Sequence, residues 1–349
     1  MSFSIGIIGL PNVGKSTLFK ALTQQEVDIS NYPFCTINPN TGIVQVPDER
    51  LEKIAKIVNP SKITPTIIEF VDIAGLVKGA HKGEGLGNQF LARIREVDAI
   101  LHIVRAFPDK NIKHVEENVD PQRDIEITNT ELIMKDLEVV KNHLEKIAKD
   151  VKSNDKDAIQ ESETLKKISE ELNKENAISN INLNDKEKKL IKHLNLLTIK
   201  PVIYILNIKE NEEDAQMLKS LPENTLPIDL KMELECTELS PKELGELHLK
   251  SRLDVLIKTC YKILNLLTFY TIKGSEETRA WTAQEGANAP QCGGIVHTDF
   301  EEKFIRAEVI NYKELIEIDS LVKARAEGLI RTEGKDYLVK DGDIVEFKI

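Results

Sequence analysis

A glycine-bounded loop between an apolar run and a helical pattern constrains this chain more than any other stretch. The apolar residues 5–8 lead into residues 9–16, GLPNVGKS, and a helical pattern continues to about residue 22. The spacing G-x-x-x-x-G-K-S/T is that of a phosphate-binding loop, whose backbone N–H groups and following helix surround an anion. Gly9 and Gly14 let the main chain approach phosphate closely. The sequence therefore predicts a nucleoside triphosphate site at this loop.

Further residues complete the predicted phosphate and metal site. Lys15 places positive charge on the β- and γ-phosphates, and the Ser16 hydroxyl ligates Mg²⁺. Asp72 ends an apolar strand pattern at the start of the D-x-x-G stretch DIAG, so it can hold the Mg²⁺ shell while the N–H of Gly75 meets the γ-phosphate. Thr36, in the loop after the first helix, is predicted to complete the Mg²⁺ coordination. The glycine-rich residues 76–88 predict a switch segment that orders on the triphosphate.

The stretch expected to read the base departs from the pattern of GTPases. GTPases place Asn-Lys-x-Asp after the fourth strand of the sheet, whereas this chain has Asn207-Ile208-Lys209-Glu210. Glu210 is one methylene longer than aspartate and would not present its oxygens to the N1–H and 2-amino group of guanine in the same way. The sequence argues against tight guanine selectivity and is compatible with ATP.

The residue that would position the attacking water is also unusual. Leu76 follows Gly75, where Ras-like enzymes carry a glutamine that orients water. Leucine cannot do this, so catalysis must use another group, a cation such as K⁺, or a partner. His81 and His114 are the candidates, and a surface histidine without a catalytic role is the competing interpretation of each. We predict that Lys15 and His114 are the catalytic residues.

Apolar runs indicate an α/β domain with a helical insertion. Buried strands are predicted at 5–8, 67–72, 99–104 and 202–206, and their separation by helices is typical of a parallel sheet covered on both faces. Between the third and fourth strands, a 4-3-4-3-4 spacing of apolar residues predicts a heptad seam, repeated twice further on. The residues of the seam are Ile133, Leu137, Val140, Leu144, Ile147 and Val151, then Leu165, Ile168 and Leu172, then Leu190, Leu194 and Leu197. We expect an antiparallel helical hairpin over 126–200.

From residue 266 the pattern changes to short strands and turns. Strands are expected at 226–230, 269–272, 295–296, 307–310 and 341–347, with a helix near 313–317, and those after 266 predict a small α+β domain. The predicted domains are therefore a nucleotide-binding domain at 1–125 and 201–265, the helical insertion at 126–200, and a C-terminal domain at 266–349.

Composition limits the other classes of function. The net charge is −11, so a global basic field for nucleic acid is absent, although local patches can still bind it. No apolar run is long enough for a transmembrane helix and no signal peptide is visible, so we expect a cytoplasmic protein. Cys35, Cys236, Cys260 and Cys292 are scattered, which argues against a zinc site or a disulfide framework.

Several stretches together resemble the YchF/Obg-like ATPase family, over essentially the whole chain. They are GLPNVGKST at 9–17, NYPFCT at 31–36, DIAGLVKGA at 72–80, GEGLGN at 83–88, RAWT at 279–282 and HTDFE at 297–301. The resemblance implies a TRAFAC-class P-loop domain, an inserted coiled-coil arm and a C-terminal TGS domain of β-grasp type. It implies ATP preference over GTP and association with ribosomes.

The resemblance also implies roles for individual residues. By position, it implies that the phosphates are bound by Asn12, Val13, Gly14, Lys15, Ser16 and Thr17. It also implies that Mg²⁺ is ligated by Ser16 and Thr36 and that adenine is contacted by Asn207 and Ile208. Lys303 stands where the family usually has glycine, and residues 229–232 depart from the common form, which leaves base contacts there open.

We therefore expect a monomeric, ribosome-associated ATPase that hydrolyses ATP slowly with Mg²⁺ and serves as a switch in translation or stress regulation. The helical arm, the TGS domain or both would contact the large subunit or the 70S ribosome, with contact to ribosomal RNA as one option. Two alternatives stay open at this point: a GTPase of the Obg type, and a nucleotide-gated binding or scaffold protein with negligible turnover.

Overall fold

The structure is a computed structural model that describes residues 3–24, 32, 40–73, 86–109, 118–209 and 215–349. The chain divides into two compact units. The first unit comprises Met1–Phe3, Gln25–Glu69 and Arg252–Ile349, and the second comprises Ser4–Gln24 and Phe70–Ser251. The three domain ranges expected from the sequence stay a prediction.

The described elements are a mixture of strands and helices along the whole chain. In the first half of the chain they are β1 (Ser4–Ile8), α1 (Lys15–Thr23), β2 (Thr41–Gln45), α2 (Glu49–Val58), β3 (Lys62–Thr64), β4 (Ile67–Asp72), α3 (Leu86–Glu96), β5 (Ala99–Arg105), α4 (Pro121–Lys152) and α5 (Lys156–Leu172). In the second half they are α6 (Asp185–Ile191), β6 (Val202–Asn207), α7 (Ala215–Ser220), β7 (Thr225–Ile228), α8 (Leu230–Cys236), α9 (Pro241–Glu246), α10 (Leu253–Ile263), β8 (Leu266–Lys273), β9 (Glu277–Gln284), α11 (Ala289–Val296), α12 (Thr298–Glu302), β10 (Arg306–Asn311), α13 (Tyr312–Ile318), α14 (Leu321–Ala326), β11 (Arg331–Glu333) and β12 (Asp343–Lys348).

A parallel sheet forms the centre of the second unit, as the apolar runs predicted. Within the second unit the strand order is β4-β1-β5-β6-β7, and β1 pairs with β5, β5 with β6, and β6 with β7, all in parallel. Every residue of β5 is buried, which explains the near-continuous apolar run in that strand. The loop after β1 therefore emerges at the carboxyl edge of the sheet, where ligands bind in folds of this kind.

The helical insertion is a hairpin of α4 and α5 followed by the short helix α6. Asp120 and Asp155 begin the two long helices, each accepting hydrogen bonds from backbone N–H groups of the first turn. Most of the first two predicted seam segments lie in one buried cluster, which also contains residues that the spacing did not predict. Its members are Ile133, Leu137, Val140, Ile147, Leu165, Ile168, Leu172, Ile178, Leu183, Ile191 and Leu196. The predicted Leu144, Val151 and Leu194 are partly buried and pack against this cluster. The third predicted repeat does not continue as a helix, because α6 ends at Ile191 and a 3-10 turn spans Lys192–Leu194.

A buried carboxylate in α4 binds the chain that returns after the hairpin. The side chain of Asp136, in α4, accepts hydrogen bonds from the backbone N–H of Leu197 at 2.8 Å and from the N–H and hydroxyl of Thr198 at 2.7 and 2.8 Å. These three donors fasten the returning chain to α4. Although α4 is 32 residues long, no helix in the described part of the chain has the length and apolar character to cross a membrane.

The first unit contains a mixed six-stranded sheet of order β11-β10-β12-β8-β9-β3. Strands β8 and β9 form an antiparallel pair, and β12 is antiparallel to β10 and parallel to β8. The edge strand β3 comes from residues 62–64 and pairs in parallel with β9. This arrangement agrees with the α+β expectation for the C-terminal part of the chain.

Two sequence predictions were wrong in detail. Ile295 and Val296 were expected in a strand, but they end helix α11, which Asn288 and Gln291 start with a reciprocal capping box. The expected strand 226–230 stops at Ile228, since Asp229 caps the following helix α8 by accepting from the backbone N–H groups of Lys231 and Met232.

Candidate functional site

The loop between β1 and α1 has the backbone shape of a phosphate cradle. Gly9 has φ 149° and Gly14 has φ 109°, and Asn12 adopts a left-handed conformation with φ 62°. A Cβ on Gly9 would lie 2.4 Å from the carbonyl oxygen of Ile103, so only glycine fits there. Gly14 is the N-cap of α1 and offers no side-chain cap, which leaves the N–H groups of the first helical turn available to an anion.

Lys15 is the cation of this loop. Its side chain is 9% exposed, and its Nζ donates to the carbonyl oxygens of Gly9 at 3.1 Å and Leu10 at 2.7 Å. Burial lowers the pKa of Lys15, and the negative charge of Asp72 opposes that shift. The two carbonyls hold the ammonium group over the loop before any ligand binds.

Ser16 and Asp72 present the oxygen atoms that a divalent cation prefers. Ser16 is exposed on the first turn of α1, and Thr17 beside it is half-buried. Asp72 ends β4, and its Oδ1 is buried with no hydrogen-bond partner among the described residues. A buried carboxylate oxygen without a partner is costly unless a ligand, water or ion completes it. The residues present therefore fit a Mg²⁺ site beside the phosphate loop.

The side chain of Asn207 contacts the phosphate loop from the end of β6, two strands away from β1 in the sheet. Its Nδ2 donates to the carbonyl oxygen of Val13 at 2.9 Å, and its Oδ1 accepts from the N–H of Leu230 at 3.4 Å. Asn207 lies at the end of β6 and is 6% exposed. The side-chain amide thus connects the phosphate loop to the start of α8.

Two family models and many known proteins match this chain. A family model described as a 50S ribosome-binding GTPase matches residues 4–208, and a C-terminal model of the YchF GTPases, described as a protein of unknown function, matches residues 266–349. The Ribosome-binding ATPase YchF of Bacillus subtilis is 47% identical, with 100% of this chain and 99% of that protein covered. The chain belongs to the YchF family.

Other members of the YchF family agree with this assignment. The Ribosome-binding ATPase YchF of Escherichia coli O157:H7 is 46% identical over 99% of each chain. The structure of the Schizosaccharomyces pombe YchF GTPase superposes with a TM-score of 0.87 at 37% identity, covering 99% of this chain and 98% of that one. The family resemblance and the P-loop α/β class predicted from the sequence are confirmed, and the chain is a P-loop nucleoside triphosphatase by class.

Ile208 follows Asn207 and is the second residue predicted to contact adenine. It is 6% exposed and packs in an apolar cluster with Val104, Ile125, Leu206 and Leu221. Contact of Asn207 and Ile208 with adenine stays a prediction for this YchF-family chain. Five other residues of the predicted site or its neighbourhood, Thr36, Gly75, Leu76, His81 and His114, lie outside the described residues, as does Glu210.

His102 is a residue near the site that the sequence did not single out. It lies in the middle of β5, in register with Ile8 at the end of β1, and is 1% exposed. Burial, with a smaller contribution from the positive charge of Lys15, lowers the pKa of His102 to about 3. The imidazole is therefore neutral at physiological pH. A histidine inside a strand of apolar residues next to the loop strand was the signal that could have identified it.

Proposed function

We propose that this chain is a ribosome-binding ATPase that binds Mg²⁺ and ATP at the loop of residues 9–17 and hydrolyses ATP slowly as a switch. The observation that carries the proposal is the buried ammonium of Lys15, held by two loop carbonyls and facing an uncapped helix start. A buried cation without a carboxylate in hydrogen-bond contact is suited to receive the negative charge of a triphosphate.

Ser16, Thr36 and Asp72 are the residues that we propose for Mg²⁺. Ser16 and Thr36 would ligate the ion directly, and Asp72 would hold its water shell through the oxygen that has no hydrogen-bond partner in the described part of the chain. When bound, the ion neutralises phosphate charge. The protein's own part is to orient the triphosphate with the loop N–H groups of Asn12 to Thr17 and Gly75, and to supply the charge of Lys15.

The preference for ATP rests on Glu210 and on the names of the relatives. Glutamate at that position is one methylene longer than the guanine-reading aspartate and would place its oxygens differently. The bacterial relatives are named ATPases, whereas the fission-yeast relative is named a GTPase. Competition between ATP and GTP for binding to the purified protein decides between them. We expect ATP to bind more tightly, and GTP binding 100-fold tighter than ATP would overturn the proposal in favour of the GTPase alternative.

Turnover separates a slow switch from a scaffold that only binds nucleotide. We propose His114 as the group that assists water attack, and a monovalent cation such as K⁺ as a further contributor. Phosphate release should fall in His114→Ala and remain near the wild-type rate in His81→Ala. Equal rates in wild type, His114→Ala and Lys15→Ala would favour the scaffold, and an unchanged rate in His114→Ala alone would remove that residue from catalysis.

The ribosome is the partner that the family names suggest, and exposed lysines of the helical arm give a candidate contact surface. Lys186, Lys188, Lys189 and Lys192 are all exposed on α6 and the turn that follows it. Clustered lysines can neutralise the phosphates of ribosomal RNA, although the net charge of the chain is negative. The C-terminal TGS-like domain is the second candidate surface. Ribosome binding would place the protein in the cytoplasm, where we propose that it acts as a monomer.

Co-sedimentation with ribosomes tests this surface. Pelleting should differ between ATP, ADP and no nucleotide, and it should weaken with salt. Changing the four lysines to glutamine should reduce both the pelleted fraction and its salt dependence. The matched control changes the exposed Lys141, Lys146, Lys149 and Lys152 of α4 to glutamine. Equal binding by both variants and wild type would remove the α6 lysines from the interface and leave the C-terminal domain.

A further inference from the structure

Three metal-ligating side chains meet in the helical arm, away from the phosphate loop. His143 comes from α4, Glu161 from α5 and His193 from the 3-10 turn after α6. The Nε2 of His143 lies 2.9 Å from Oε1 of Glu161, and the Nε2 of His193 lies 3.4 Å from the same oxygen. The three ligand atoms all lie within 4.8 Å of one another.

This spacing is close to that of a zinc site. Tetrahedral Zn²⁺ binds imidazole nitrogen and carboxylate oxygen at about 2.0–2.2 Å, which places neighbouring ligand atoms about 3.4 Å apart. The separation of Glu161 from His193, 3.4 Å, matches that value, and its separation from His143, 2.9 Å, is shorter. Imidazole nitrogen suits Zn²⁺ and other transition metals, whereas Mg²⁺ and Ca²⁺ prefer oxygen ligands. The scattered cysteines argued against a zinc site, but this set of ligands needs none.

The surroundings hold the ligands in place and leave an entrance. The side chains of His143 and Glu161 are 20% and 15% exposed, while that of His193 is 53% exposed. Buried Val140 and Ile147 lie one turn to either side of His143, and buried Ile191 anchors the turn that carries His193. Among the ion pairs of the described residues, Glu161 pairs with these two histidines and with no lysine or arginine.

We propose that His143, Glu161 and His193 form a Zn²⁺ site that fastens α4, α5 and the turn after α6 to one another. A water molecule completes the tetrahedral coordination. Each ligand belongs to a different segment of the arm, so the ion acts as a cross-link in addition to the apolar cluster and the hydrogen bonds of Asp136. The site is independent of nucleotide binding, and its test can succeed or fail without bearing on the proposed ATPase function.

The test is zinc binding by the untagged, full-length protein without nucleotide. Isothermal titration with Zn²⁺ should show a site that Glu161→Gln and His193→Asn each weaken by at least about tenfold, since even outer-shell changes cost 10–100-fold in metal affinity. His248→Asn is the matched control, because His248 is exposed and lies outside the cluster. Co²⁺ bound at the same site should give the visible absorption of a four-coordinate ion, and Glu161→Gln should lose it.

Thermal unfolding separates a metal site from a hydrogen-bonded cluster. Zn²⁺ should raise the melting temperature of wild type and His248→Asn but not of His193→Asn, and removing the metal with a chelator should reverse the rise. His143→Gln provides a second variant if Glu161→Gln fails to fold, as circular dichroism would show. The proposal is overturned if His193→Asn binds Zn²⁺ as tightly as wild type, or if wild type binds no Zn²⁺ at this site.

Discussion

The nucleotide site and the helical arm each bury an ionisable side chain, Lys15 in the site and Asp136 in the arm. The two side chains differ in how far hydrogen bonds from the protein satisfy them. Asp136 receives three hydrogen bonds from the chain that it fastens, so its polar atoms are satisfied by the protein itself. Among the described residues, Lys15 donates to two carbonyl oxygens and has no carboxylate in hydrogen-bond contact, and a buried oxygen of Asp72 has no hydrogen-bond partner. A satisfied buried charge maintains the fold, whereas an incompletely satisfied one is available to a ligand.

The largest expected effect is on Lys15, whose charge should serve chemistry more than stability. Lys15→Ala should reduce ATP hydrolysis at least about 100-fold, or about 3 kcal/mol of transition-state stabilisation. Its free energy of unfolding should not fall, because the variant no longer buries a cation. Phosphate release and urea unfolding measure the two quantities. Lys20→Ala, at an exposed position of the same helix, should change neither. A loss of stability in Lys15→Ala equal to the loss of activity would break the comparison.

Asp136 should show the opposite behaviour. Asp136→Asn places an amide N–H₂ against the N–H and hydroxyl of Thr198 and should lower the free energy of unfolding by about 2–3 kcal/mol. The affinity for ATP should be unchanged, because the contact lies in the helical arm. Urea unfolding and nucleotide titration measure both, with Glu145→Gln on the exposed side of α4 as the control. Unchanged stability would mean that the arm does not depend on this carboxylate.

The buried His102 beside the loop should make the free energy of unfolding depend on pH. Its folded pKa of about 3 lies below the unfolded value of about 6.5, so below pH 6.5 the unfolded chain binds a proton that the folded chain does not. Stability is therefore lost as pH falls from 6.5 toward 3, by about 2 kcal/mol at pH 5. Unfolding curves at pH 7.5 and pH 5 should show this loss in wild type and less of it in His102→Gln. His248→Asn, at an exposed histidine, should behave as wild type does, and a pH response shared by all three would reject the assignment.

The smallest expected effect concerns Asn207, whose replacement should weaken both nucleotide binding and stability. Asn207→Ala removes the hydrogen bond to Val13, worth about 1 kcal/mol, and the long and weaker one from Leu230 at 3.4 Å. Because this side chain holds the phosphate loop, we expect ATP affinity to fall about fivefold, which corresponds to about 1 kcal/mol, along with a similar loss of stability. Nucleotide titration and urea unfolding of the same sample measure the pair. Weaker binding with unchanged stability would instead indicate direct contact with the nucleotide.

Local sequence signals were sufficient to predict the helices and strands whose residue pattern is contained in one short stretch of the chain. The phosphate loop and the apolar runs predicted β1, β5 and β6, and the heptad spacing predicted the buried seam of α4 and α5. Ile295 and Val296 were misassigned because two apolar residues suit a strand or a helix equally, and the deciding capping box begins seven residues upstream at Asn288.

The unpredicted features depend on long-range contacts. His143, Glu161 and His193 carry no recognisable spacing, since their proximity follows from the hairpin and the turn that returns along it. The neutral state of His102 depends on burial and on the charge of Lys15, which a sequence pattern does not reveal. Strand β3 is three residues long with two exposed side chains, and its pairing partner lies in the last third of the chain.

That short strand has a consequence for how the protein is made. The hydroxyl of Thr64 in β3 donates to the carboxylate of Glu277 in β9 across 213 residues of sequence. At typical synthesis rates of 5–20 residues per second, about 10–40 seconds separate the emergence of the two strands from the ribosome. Residues 62–64 must therefore wait unpaired until nearly all of the chain exists, so the C-terminal sheet is completed by one of the earliest segments to leave the exit tunnel.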